Sequence, residues 1–397
     1  MKILMINSVC GVGSTGRICT DLAQILEAQG HTVKIAYGRQ AAPEQFAKYG
    51  VRIGSDLGVR MNGVLSRLLD NEGFNAYCAT KKFLRWVEEF DPDIVHLHNL
   101  HGYYLHIGLL FDYLKRAEKR VIWTLHDCWA FTGHCAYFTA AGCDKWQSQC
   151  YGCPQKQSYP KSVLLSRDKR NFQKKQKLFT GIKDLTLVTP SQWLADLTRI
   201  SFLQEYPVKV APNGINLDVF QPTESDLRQK YALEQKKIIL GVANVWDARK
   251  GLDDFVELSQ MLDEEYKIIL IGLREEQVEK LPKNIIGITR TNNVQELVQW
   301  YSCADVLFNP TYEDNYPTVN LEAIACGTPV VTYRTGGSPE SITPESGRVV
   351  PCGDLQEAYQ AIAECVRNIK TAKNEQDFDA RSRLGVYIGM YLENHRL

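Results

Sequence analysis

The sequence VLFNPTYEDNYPTVNLEAIACGTPVVTYRTGG occupies residues 306–337 and predicts a strand, a polar loop, a helix, a second strand and a second loop. Val306–Asn309 is a short apolar run of the buried-strand type, and Pro317 suits the first helical turn, where no backbone donor is needed. Gly327 suits the left-handed stop of the helix. A polar loop that enters a helix from a parallel strand presents unpaired amides to an anion. The stretch therefore predicts an α/β unit with an anion site.

Acidic residues accompany this predicted anion site. Glu313 and Asp314 lie in the loop, and Glu322 lies on the helix. Amides bind phosphate groups, and a carboxylate accepts hydrogen bonds from sugar hydroxyls. The combination indicates a nucleotide-sugar site, and the alternative is that these acids are merely solvated.

The spacing Asp314-x7-Glu322, followed by ACGTPVV and TGG, resembles the E-x7-E region of the retaining GT-B glycosyltransferases of family 4. That family has Glu at both ends of the motif, whereas this chain has Asp at the first end, directly after Glu313. The resemblance implies an α/β protein of the GT-B class, in which two Rossmann-like domains face each other across a cleft.

The resemblance also implies a domain organisation. Residues 1–205 would form an N-terminal acceptor domain that contains a cysteine-rich insert at 128–153. Residues 206–371 would form the nucleotide-sugar donor domain, and a C-terminal helix within 372–397 would cross back to the first domain. The segment PNGIN at 212–216 resembles the family segment that joins the two domains.

Composition limits the class of protein. The 397 residues are 44% hydrophobic and 23% charged with a net charge of zero, which is ordinary for a globular protein and gives no global reason to expect nucleic acid as a partner. The sequence has no run of 18 apolar residues, so no membrane-spanning helix is expected. Twelve cysteines without a secretory signal indicate reduced thiols or metal ligands. We expect a cytoplasmic protein, with a peripheral position on the inner face of the cell membrane as an extension of that expectation.

A glycine-rich loop follows the first predicted strand. Gly11, Gly13 and Gly16 match G-x-G-x-x-G, and a helix is predicted from Arg17. This fingerprint would hold a dinucleotide, but no acid ends the second strand, where Arg39 would instead suit the 2′-phosphate of NADP. The resemblance places Gly13 and Gly16 near the donor phosphates, and the remaining alternative is a tight turn that packs a helix on a strand.

Three histidines follow predicted strands of the first half. His98 and His101 come after the strand at 93–97, and His126 comes after the strand at 121–125. Loops at the carboxyl ends of parallel strands are where α/β sites form. The resemblance places His126 beside the donor sugar, and we interpret His98 and His101 as candidate acceptor residues; a purely structural role is the alternative.

The insert carries four cysteines with the spacing C-x7-C-x6-C-x2-C, namely Cys135, Cys143, Cys150 and Cys153. Four thiolates can hold a structural zinc ion, and because the insert reads as having little core of its own, metal would supply stability. Cys128 and His134 are possible substitutes as ligands. Free thiols, a redox pair and an iron–sulfur cluster are the alternatives.

Residues 155–183 carry nine basic residues and a single acid, with interleaved apolar residues. A basic amphipathic helix here could rest on an anionic membrane, which would suit a lipid-linked acceptor. A solvated helix and a nucleic-acid surface are the alternatives. The helix predicted at 55–90 also contains basic residues, and we interpret these as a solvated face. The resemblance implies the alternative, that this part of the first domain contacts acceptors or membranes.

The loop 244–251 resembles the family segment whose Arg and Lys clamp the donor diphosphate. Lys250 matches the Lys, whereas the Arg position is unmatched and the loop reads as a residue longer. Arg249 could substitute, because its planar guanidinium suits phosphate oxygens. The resemblance also places Asn292 beside the nucleotide base.

The resemblance implies a retaining transfer of a sugar from a UDP- or GDP-sugar to a hydroxyl of a saccharide acceptor. A saccharide carried on polyprenyl diphosphate is a candidate acceptor. The product would belong to the synthesis of a bacterial capsule, exopolysaccharide or O-antigen. Lys250 and Arg249 would neutralise the diphosphate together with the amides of Thr318 and Val319. Glu322 would hold the ribose, and Asp314 with Glu313 would hold sugar hydroxyls. No metal or cofactor is implied in catalysis. An NADP-dependent oxidoreductase, a GT-B-like sugar epimerase and a non-enzymatic zinc and basic module are the alternatives.

Overall fold

The computed structural model describes residues 1–369, 371–372 and 377–393. The chain forms two compact units, Met1–Ala211 with Val386–Leu397, and Pro212–Gly385. The division thus falls after Ala211, six residues beyond the predicted boundary at 205. Of the tail predicted at 372–397, residues 373–376 and 394–397 lie outside the described part of the chain.

The first unit is built on a seven-stranded parallel sheet. Its strands are β1 Lys2–Ile6, β2 Thr32–Tyr37, β3 Gly50–Arg52, β4 Ile94–Leu97, β5 Arg120–Thr124, β6 Leu185–Thr189 and β7 Val208–Val210. They lie in the order β3-β2-β1-β4-β5-β6-β7. The chain extends the sheet to one side of β1 and then returns to its other side, so a crevice is expected beyond the carboxyl ends of β1 and β4.

The α-helices that precede β7 in the first unit are α1 Gly13–Ala28, α2 Asp56–Leu69, α3 Tyr77–Phe90, α4 Ile107–Ala117, α5 Asp168–Phe179 and α6 Gln192–Arg199. The core contains large aromatic side chains, with the rings of Phe111 and Phe179 4.3 Å apart and those of Trp123 and Phe179 4.9 Å apart between centroids. Edge and tilted contacts of this kind favour one fixed arrangement of the core.

The second unit contains a six-stranded parallel sheet. Its strands are β8 Lys237–Val242, β9 Tyr266–Ile271, β10 Ile285–Ile288, β11 Val306–Asn309, β12 Val330–Tyr333 and β13 Gly347–Val350. In their order, β10-β9-β8-β11-β12-β13, the strand order reverses between β8 and β11, because β9 and β10 are added on one side of β8 and β11 to β13 on the other. Residues 306–337, which begin with β11, therefore start at the position where α/β sheets bind ligands.

The helices of the second unit are α7 Leu227–Lys230, α8 Leu252–Met261, α9 Glu275–Val278, α10 Val294–Cys303, α11 Thr318–Ala325 and α12 Leu355–Asn368. The last helix, α13 Ala380–Leu392, belongs to the second unit up to Gly385 and to the first unit from Val386. The prediction of two parallel α/β units is confirmed.

Three local predictions were wrong. Helix α1 begins at Gly13 instead of Arg17, because the end of the glycine loop forms its first turn. The region 55–90 is two helices, α2 and α3, with an irregular segment between them. In the basic region 155–183, only Asp168–Phe179 is α-helical.

Candidate functional site

Helix α11 presents an uncapped N-terminus in the second unit. Pro317 is the N-cap and makes no side-chain capping hydrogen bond, and the first turn contains no acid. The amides of Thr318 and Val319 are thus without a capping side chain, and both residues are half-buried. The aligned peptide dipoles put roughly half a positive charge at this end. This N-terminus is able to bind an anion such as a phosphate group.

The predicted basic clamp lies against the acidic loop that precedes α11. Lys250 Nζ lies 2.5 Å from Asp314 Oδ2, and both side chains are less than one-fifth exposed. Arg249 Nη1 donates to the carbonyl of Glu313 at 2.9 Å. The structure therefore brings Lys250, Arg249, Asp314 and Glu313 together, and their roles toward a donor stay predictions.

Gly251 makes this close approach possible. Its φ is +69°, and a Cβ at this position would lie 2.4 Å from the carbonyl oxygen of Pro310. The backbone amide of Tyr312 then donates to the carbonyl of Arg249 at 2.8 Å. The loop that carries Arg249 and Lys250 is thus joined through its backbone to the loop that carries Glu313 and Asp314. The backbone positions of Arg249 and Lys250 are therefore fixed.

Glu322 is buried on α11 and has a partner that the sequence did not reveal. The hydroxyl of Tyr301 donates to Glu322 Oε2 at 2.8 Å. Burial, together with the Glu322 carboxylate, raises the pKa of Tyr301 well above its ordinary value, so the phenol stays protonated and keeps donating. Tyr301 lies among the apolar residues of α10, where an aromatic residue is typical of a core position, so the pattern gave no signal of this contact.

Asn320 locks α11 in place. It accepts from Asn309 Nδ2 at 2.8 Å, and its own Nδ2 donates to Ser338 Oγ at 3.0 Å and to Ser341 Oγ at 3.3 Å. A fully buried amide in an apolar helix is costly unless it is paired in this way. The isolated Asn within an apolar helix was the signal that could have identified it.

Asn292 is exposed in the loop that follows β10. Its backbone amide and Nδ2 donate to Glu296 Oε2 at 2.7 and 2.8 Å, while Asn293 caps α10. The predicted place of Asn292 beside a nucleotide base stays a prediction.

The glycine loop of the first unit encloses a second uncapped helix N-terminus. The amide of Gly11 donates to the carbonyl of Gly16 at 3.1 Å, and both Gly11 and Gly13 have positive φ. Helix α1 has no side-chain cap at Val12 and no acid in its first turn. Gly13 and Gly16 thus line backbone that can accept an anion, and their role at the donor phosphates stays a prediction.

Two of the three predicted histidines contact each other. His98 Nδ1 and His126 Nε2 lie 3.1 Å apart. Burial lowers the pKa of His126 to about 4, although the neighbouring Asp127 opposes this, and burial lowers the pKa of His98 well below its ordinary value. Both rings are therefore neutral at pH 7. His98 Nε2 is buried and has no partner among the described residues.

The third histidine, His101, belongs to an adjoining network in the same unit. Its Nε2 lies 2.8 Å from Asp127 Oδ2, and its Nδ1 lies 2.9 Å from the hydroxyl of Tyr159. Burial would raise the pKa of Asp127, but His101 and the amide of Trp129 bring it below the ordinary value. Tyr159 was missed because it lies 58 residues away in an irregular segment.

Glu72 was also missed in the first unit. Its Oε1 accepts from the amides of Gly102 and Tyr103 at 2.7 and 2.9 Å, and burial raises its pKa. Its Oε2 is buried without a partner in the described part of the chain. Glu72 fixes the loop that carries His101, and no local pattern marks it.

The cysteine insert has more core than its composition suggested. The rings of Phe138 and Trp146 stack at 4.9 Å, and Phe131 packs on Trp146 at 5.2 Å. The expectation of an insert with little core was wrong, because these aromatic side chains, although few, each bury a large apolar area. The fold of the insert therefore does not depend on a metal alone.

The cysteines of the insert are near neighbours. The thiols of Cys135 and Cys153 are hydrogen-bonded to each other, and Cys150 interacts electrostatically with Cys153 and Cys143. The amide of Gly133 donates to Cys150 Sγ at 3.2 Å. Across the described residues, however, no three His, Cys, Asp or Glu side chains are positioned around a common ion site. Structural zinc at Cys135, Cys143, Cys150 and Cys153 stays a prediction.

His134, named as a substitute ligand, has one nitrogen engaged and one without a partner. Its Nδ1 lies 2.5 Å from Asp70 Oδ1, and its buried Nε2 has no partner among the described residues. A carboxylate that fixes the imidazole in this way is the arrangement found behind metal-bound histidines. His134 therefore remains a candidate substitute ligand.

Helix α5 turns apolar side chains of the predicted amphipathic region inward, and contact of residues 155–183 with an anionic membrane stays a prediction. Its apolar side chains Phe172 and Phe179 are buried in the core of the first unit, and Lys175 is buried beneath them. The exposed side is basic and carries Lys169, Arg170, Lys174 and Lys177. No helix in the described residues is long and apolar enough to span a bilayer.

Comparison with known proteins gives matches in both units. Residues 15–219 match the family model described as Glycosyltransferase Family 4, and residues 236–368 match the model described as Glycosyl transferases group 1. A relative in Escherichia coli K12, named as the colanic acid biosynthesis glycosyl transferase WcaC, is 23% identical and covers 96% of this chain and 95% of its own. A processive diacylglycerol alpha-glucosyltransferase of Acholeplasma laidlawii is 28% identical over 38% of this chain and 48% of its own.

Solved structures share the fold over nearly the whole chain. Sucrose-phosphate synthase of Thermosynechococcus elongatus has a TM-score of 0.73 at 17% identity and covers 98% of each chain. Anabaena HepE in complex with UDP has a TM-score of 0.69 at 16% identity and covers 98% of this chain and 99% of its own. These likenesses confirm the GT-B fold class.

Proposed function

The chain belongs to glycosyltransferase family 4, and from this premise we propose that it transfers a sugar from a UDP-sugar to a hydroxyl of a saccharide or glycolipid acceptor, with retention of configuration. The glycosyltransferase activity follows from the family matches in both units. The names of the relatives support polysaccharide or glycolipid synthesis, and the UDP complex of HepE supports UDP over GDP. An oxidoreductase and a non-enzymatic module are set aside by the same matches.

The observation that carries the proposal is the uncapped N-terminus of α11 beside a basic clamp and a buried, oriented carboxylate. The helix amides and Lys250 supply positive charge to a diphosphate. Glu322, held by Tyr301, supplies an acceptor for ribose hydroxyls on the same helix. A nucleoside diphosphate needs both chemistries side by side.

Lys250 has two roles in this proposal. Before the donor binds, it is paired with Asp314. When a diphosphate binds, the ammonium group turns to the phosphate oxygens, and the carboxylate of Asp314 becomes available to the hydroxyls of the transferred sugar. Arg249 adds a second cation beside the same loop. These groups act most strongly on the charge that develops on the leaving diphosphate.

The transfer step is a substitution on one face of the sugar. The bond between the anomeric carbon and the β-phosphate oxygen breaks, and a bond from the acceptor oxygen to the same carbon forms on the same face. The acceptor proton passes to the departing phosphate oxygen, so the diphosphate serves as leaving group and base. The chain then needs no nucleophilic side chain, and the contact of His126 with the donor sugar stays a prediction, as do acceptor roles for His98 and His101.

Nucleotide binding and donor hydrolysis test the proposal together. Thermal unfolding is measured with UDP, GDP, ADP, CMP and NADP; a ligand at 100 times its Kd stabilises by about 2.7 kcal/mol. We expect a shift with UDP. Lys250→Ala is expected to lower UDP-sugar turnover by roughly 10²–10³-fold. The control is Lys280→Ala, which removes an exposed lysine of the same unit. Normal turnover in Lys250→Ala, or a shift with NADP alone, would overturn the proposal.

A further inference from the structure

His98 follows β4 directly and is almost fully buried, with 2% of its surface exposed. Its backbone amide donates to the carbonyl of Ile6 at 2.9 Å, and its carbonyl accepts from Trp123 Nε1 at 3.3 Å. The strands on both sides of β4, β1 and β5, therefore hold its backbone. Because so little of the ring is exposed, it offers little surface to an acceptor, and the geometry supports an effect that passes through a neighbour.

The neighbour that fits this role is His126. His98 Nδ1 lies 3.1 Å from His126 Nε2, and the two rings are stacked with 5.4 Å between centroids and 16° between planes. His126 is only half-buried and follows β5 at its carboxyl end, where α/β sites form. A hydrogen bond between two neutral imidazoles needs one nitrogen with a proton and one without. The contact therefore links the tautomers of the two rings and restricts the rotation of His126.

A third histidine, His96, limits the movement of the His98 ring. The centroids of these two rings lie 4.0 Å apart. His96 Nε2 lies 2.8 Å from Thr124 Oγ1, and His96 Nδ1 lies 2.5 Å from the hydroxyl of Tyr391. Both nitrogens of His96 are thus engaged by hydroxyl groups, so His96 is a fixed ring against which His98 packs.

The second ring nitrogen of His98 makes a purely structural role costly. His98 Nε2 is buried and has no partner in the described part of the chain. A buried polar atom without a hydrogen bond destabilises a fold, and an apolar side chain of similar size would avoid that cost. The bond between His98 Nδ1 and His126 is the interaction that an apolar side chain could not make.

We propose that His98 is a positioning residue for His126, and that the bond from its Nδ1 holds the imidazole of His126 in one orientation and one tautomer toward the sugar of the donor. This inference rests on the proposed function, in which His126 is expected to contact that sugar. A neutral imidazole has one N–H and one lone pair, so the wrong tautomer would present the wrong group to a sugar hydroxyl.

Two variants of nearly equal shape separate this hydrogen bond from packing. His98→Asn and His98→Leu both remove the ring, but the Asn amide takes the place of Nδ1 and can donate or accept, whereas Leu cannot. The assay is hydrolysis of UDP-glucose, UDP-galactose and UDP-N-acetylglucosamine without an acceptor. Since one side chain gains freedom, we expect His98→Leu to lower kcat about 2- to 13-fold. His98→Asn should stay close to the unchanged protein, and the Kd of UDP, which carries no sugar, should be equal in both variants.

A second measurement observes the His126 ring without any substrate. Nitrogen NMR shifts of an imidazole distinguish its two neutral tautomers from a mixture of them, and the signals lost in His126→Asn identify His126. We expect a single tautomer in the unchanged protein and in His98→Asn, and a mixture in His98→Leu. If the unchanged protein hydrolyses none of the three donors, the proposed function fails, and the NMR spectra still decide whether His98 positions His126.

The matched control is His106→Leu, which removes a half-buried imidazole elsewhere in the first unit. Its Nδ1 accepts from the amide of Leu109 at 3.2 Å, so this variant should be less stable but keep its kcat. Thermal unfolding identifies a variant that has not folded. If His98→Leu does not fold, His98→Gln replaces it, because its longer side chain places the amide near Nε2 instead. Equal losses of kcat in the Leu and Asn variants, or an unchanged single tautomer of His126 in His98→Leu, would overturn the proposal.

Discussion

Replacing Tyr301 with Phe tests whether the buried carboxylate of Glu322 is held in place for a ligand. The change removes the hydroxyl that donates to Glu322 Oε2 at 2.8 Å and keeps the ring. A hydrogen bond to a charged group contributes about 1.5–3 kcal/mol to stability. We expect Tyr301→Phe to lower the free energy of unfolding of the second unit by an amount in that range.

The effect on nucleotide affinity follows from the freedom that Glu322 gains. Fixing one mobile side chain on binding costs about 0.5–1.5 kcal/mol, which corresponds to a roughly 2- to 13-fold weaker Kd for UDP. Tyr301→Phe should therefore weaken UDP binding by that factor. In a Glu322→Gln background, it should weaken binding no further, since Tyr301 acts through the carboxylate.

Isothermal titration of UDP into the four proteins of this double-mutant cycle is the assay. Tyr231→Phe is the matched control, because Tyr231 packs on Trp300 in the same unit and its hydroxyl makes no hydrogen bond with the described residues. A Tyr301→Phe variant that is less stable but binds UDP like the unchanged protein would contradict a role of Tyr301 in UDP binding. Additive losses in the double variant would show that Tyr301 supports the fold without positioning Glu322.

Two further predictions concern the first unit. If Cys135, Cys150 and Cys153 hold a zinc ion with a fourth ligand, elemental analysis of freshly purified protein should find about one zinc per chain. Comparing the zinc content of His134→Ala with that of Cys143→Ala identifies the fourth ligand. Less than about half an equivalent of any metal per chain would reject the site. Burial holds the pKa of His126 at about 4, below the ~6.5 of an unfolded histidine. Between these two pH values the unfolded state binds more protons than the folded state. The free energy of unfolding should therefore fall as the pH drops from about 6.5 to about 4, by up to ~1.4 kcal/mol per pH unit for this group. Urea unfolding at pH 7 and pH 5 measures this slope, which should be shallower in His126→Asn; an identical slope would contradict the contribution of His126.

The buried strands could be predicted from the sequence almost to the residue. Parallel strands covered on both faces are continuous apolar runs, and the strand predicted at 306–309 has these bounds in the structure. The strands predicted at 93–97 and 121–125 are Ile94–Leu97 and Arg120–Thr124. The start of α1 could not be predicted so well, because a glycine loop and a helical first turn have the same composition.

The direction in which α2 faces could not be read from its pattern. Periodicity shows that a helix has two different sides, but it does not say which side packs on the protein. The basic residues of this region led to the interpretation of a solvated face, whereas exposed side chains between them, among them Leu57, Met61 and Val64, are apolar. Only the packing of Gly63 and Ser66 against the unit reveals the orientation.

Some residues of the candidate site could be predicted from the sequence, and others could not. Asp314, Glu322 and Lys250 could be named because a short motif carries them. Tyr301 and Glu72 could not, since each acts on a residue 21 to 31 positions away through a contact that only the fold creates. Long-range partners of this kind leave no spacing in the sequence.

The most direct test of the central claim, that α11 receives the diphosphate on its N-terminal amides, is the Kd of UDP for Thr318→Pro measured against Thr318→Ala. Proline at the first helical position keeps the helix and removes a single amide donor, and the extended backbone of Pro317 accommodates a following proline. We predict that Thr318→Ala binds UDP like the unchanged protein. Thr318→Pro should bind at least about tenfold more weakly, as expected for the loss of one bond to a charged group. Equal affinity of the two variants, with both folded, would contradict the account.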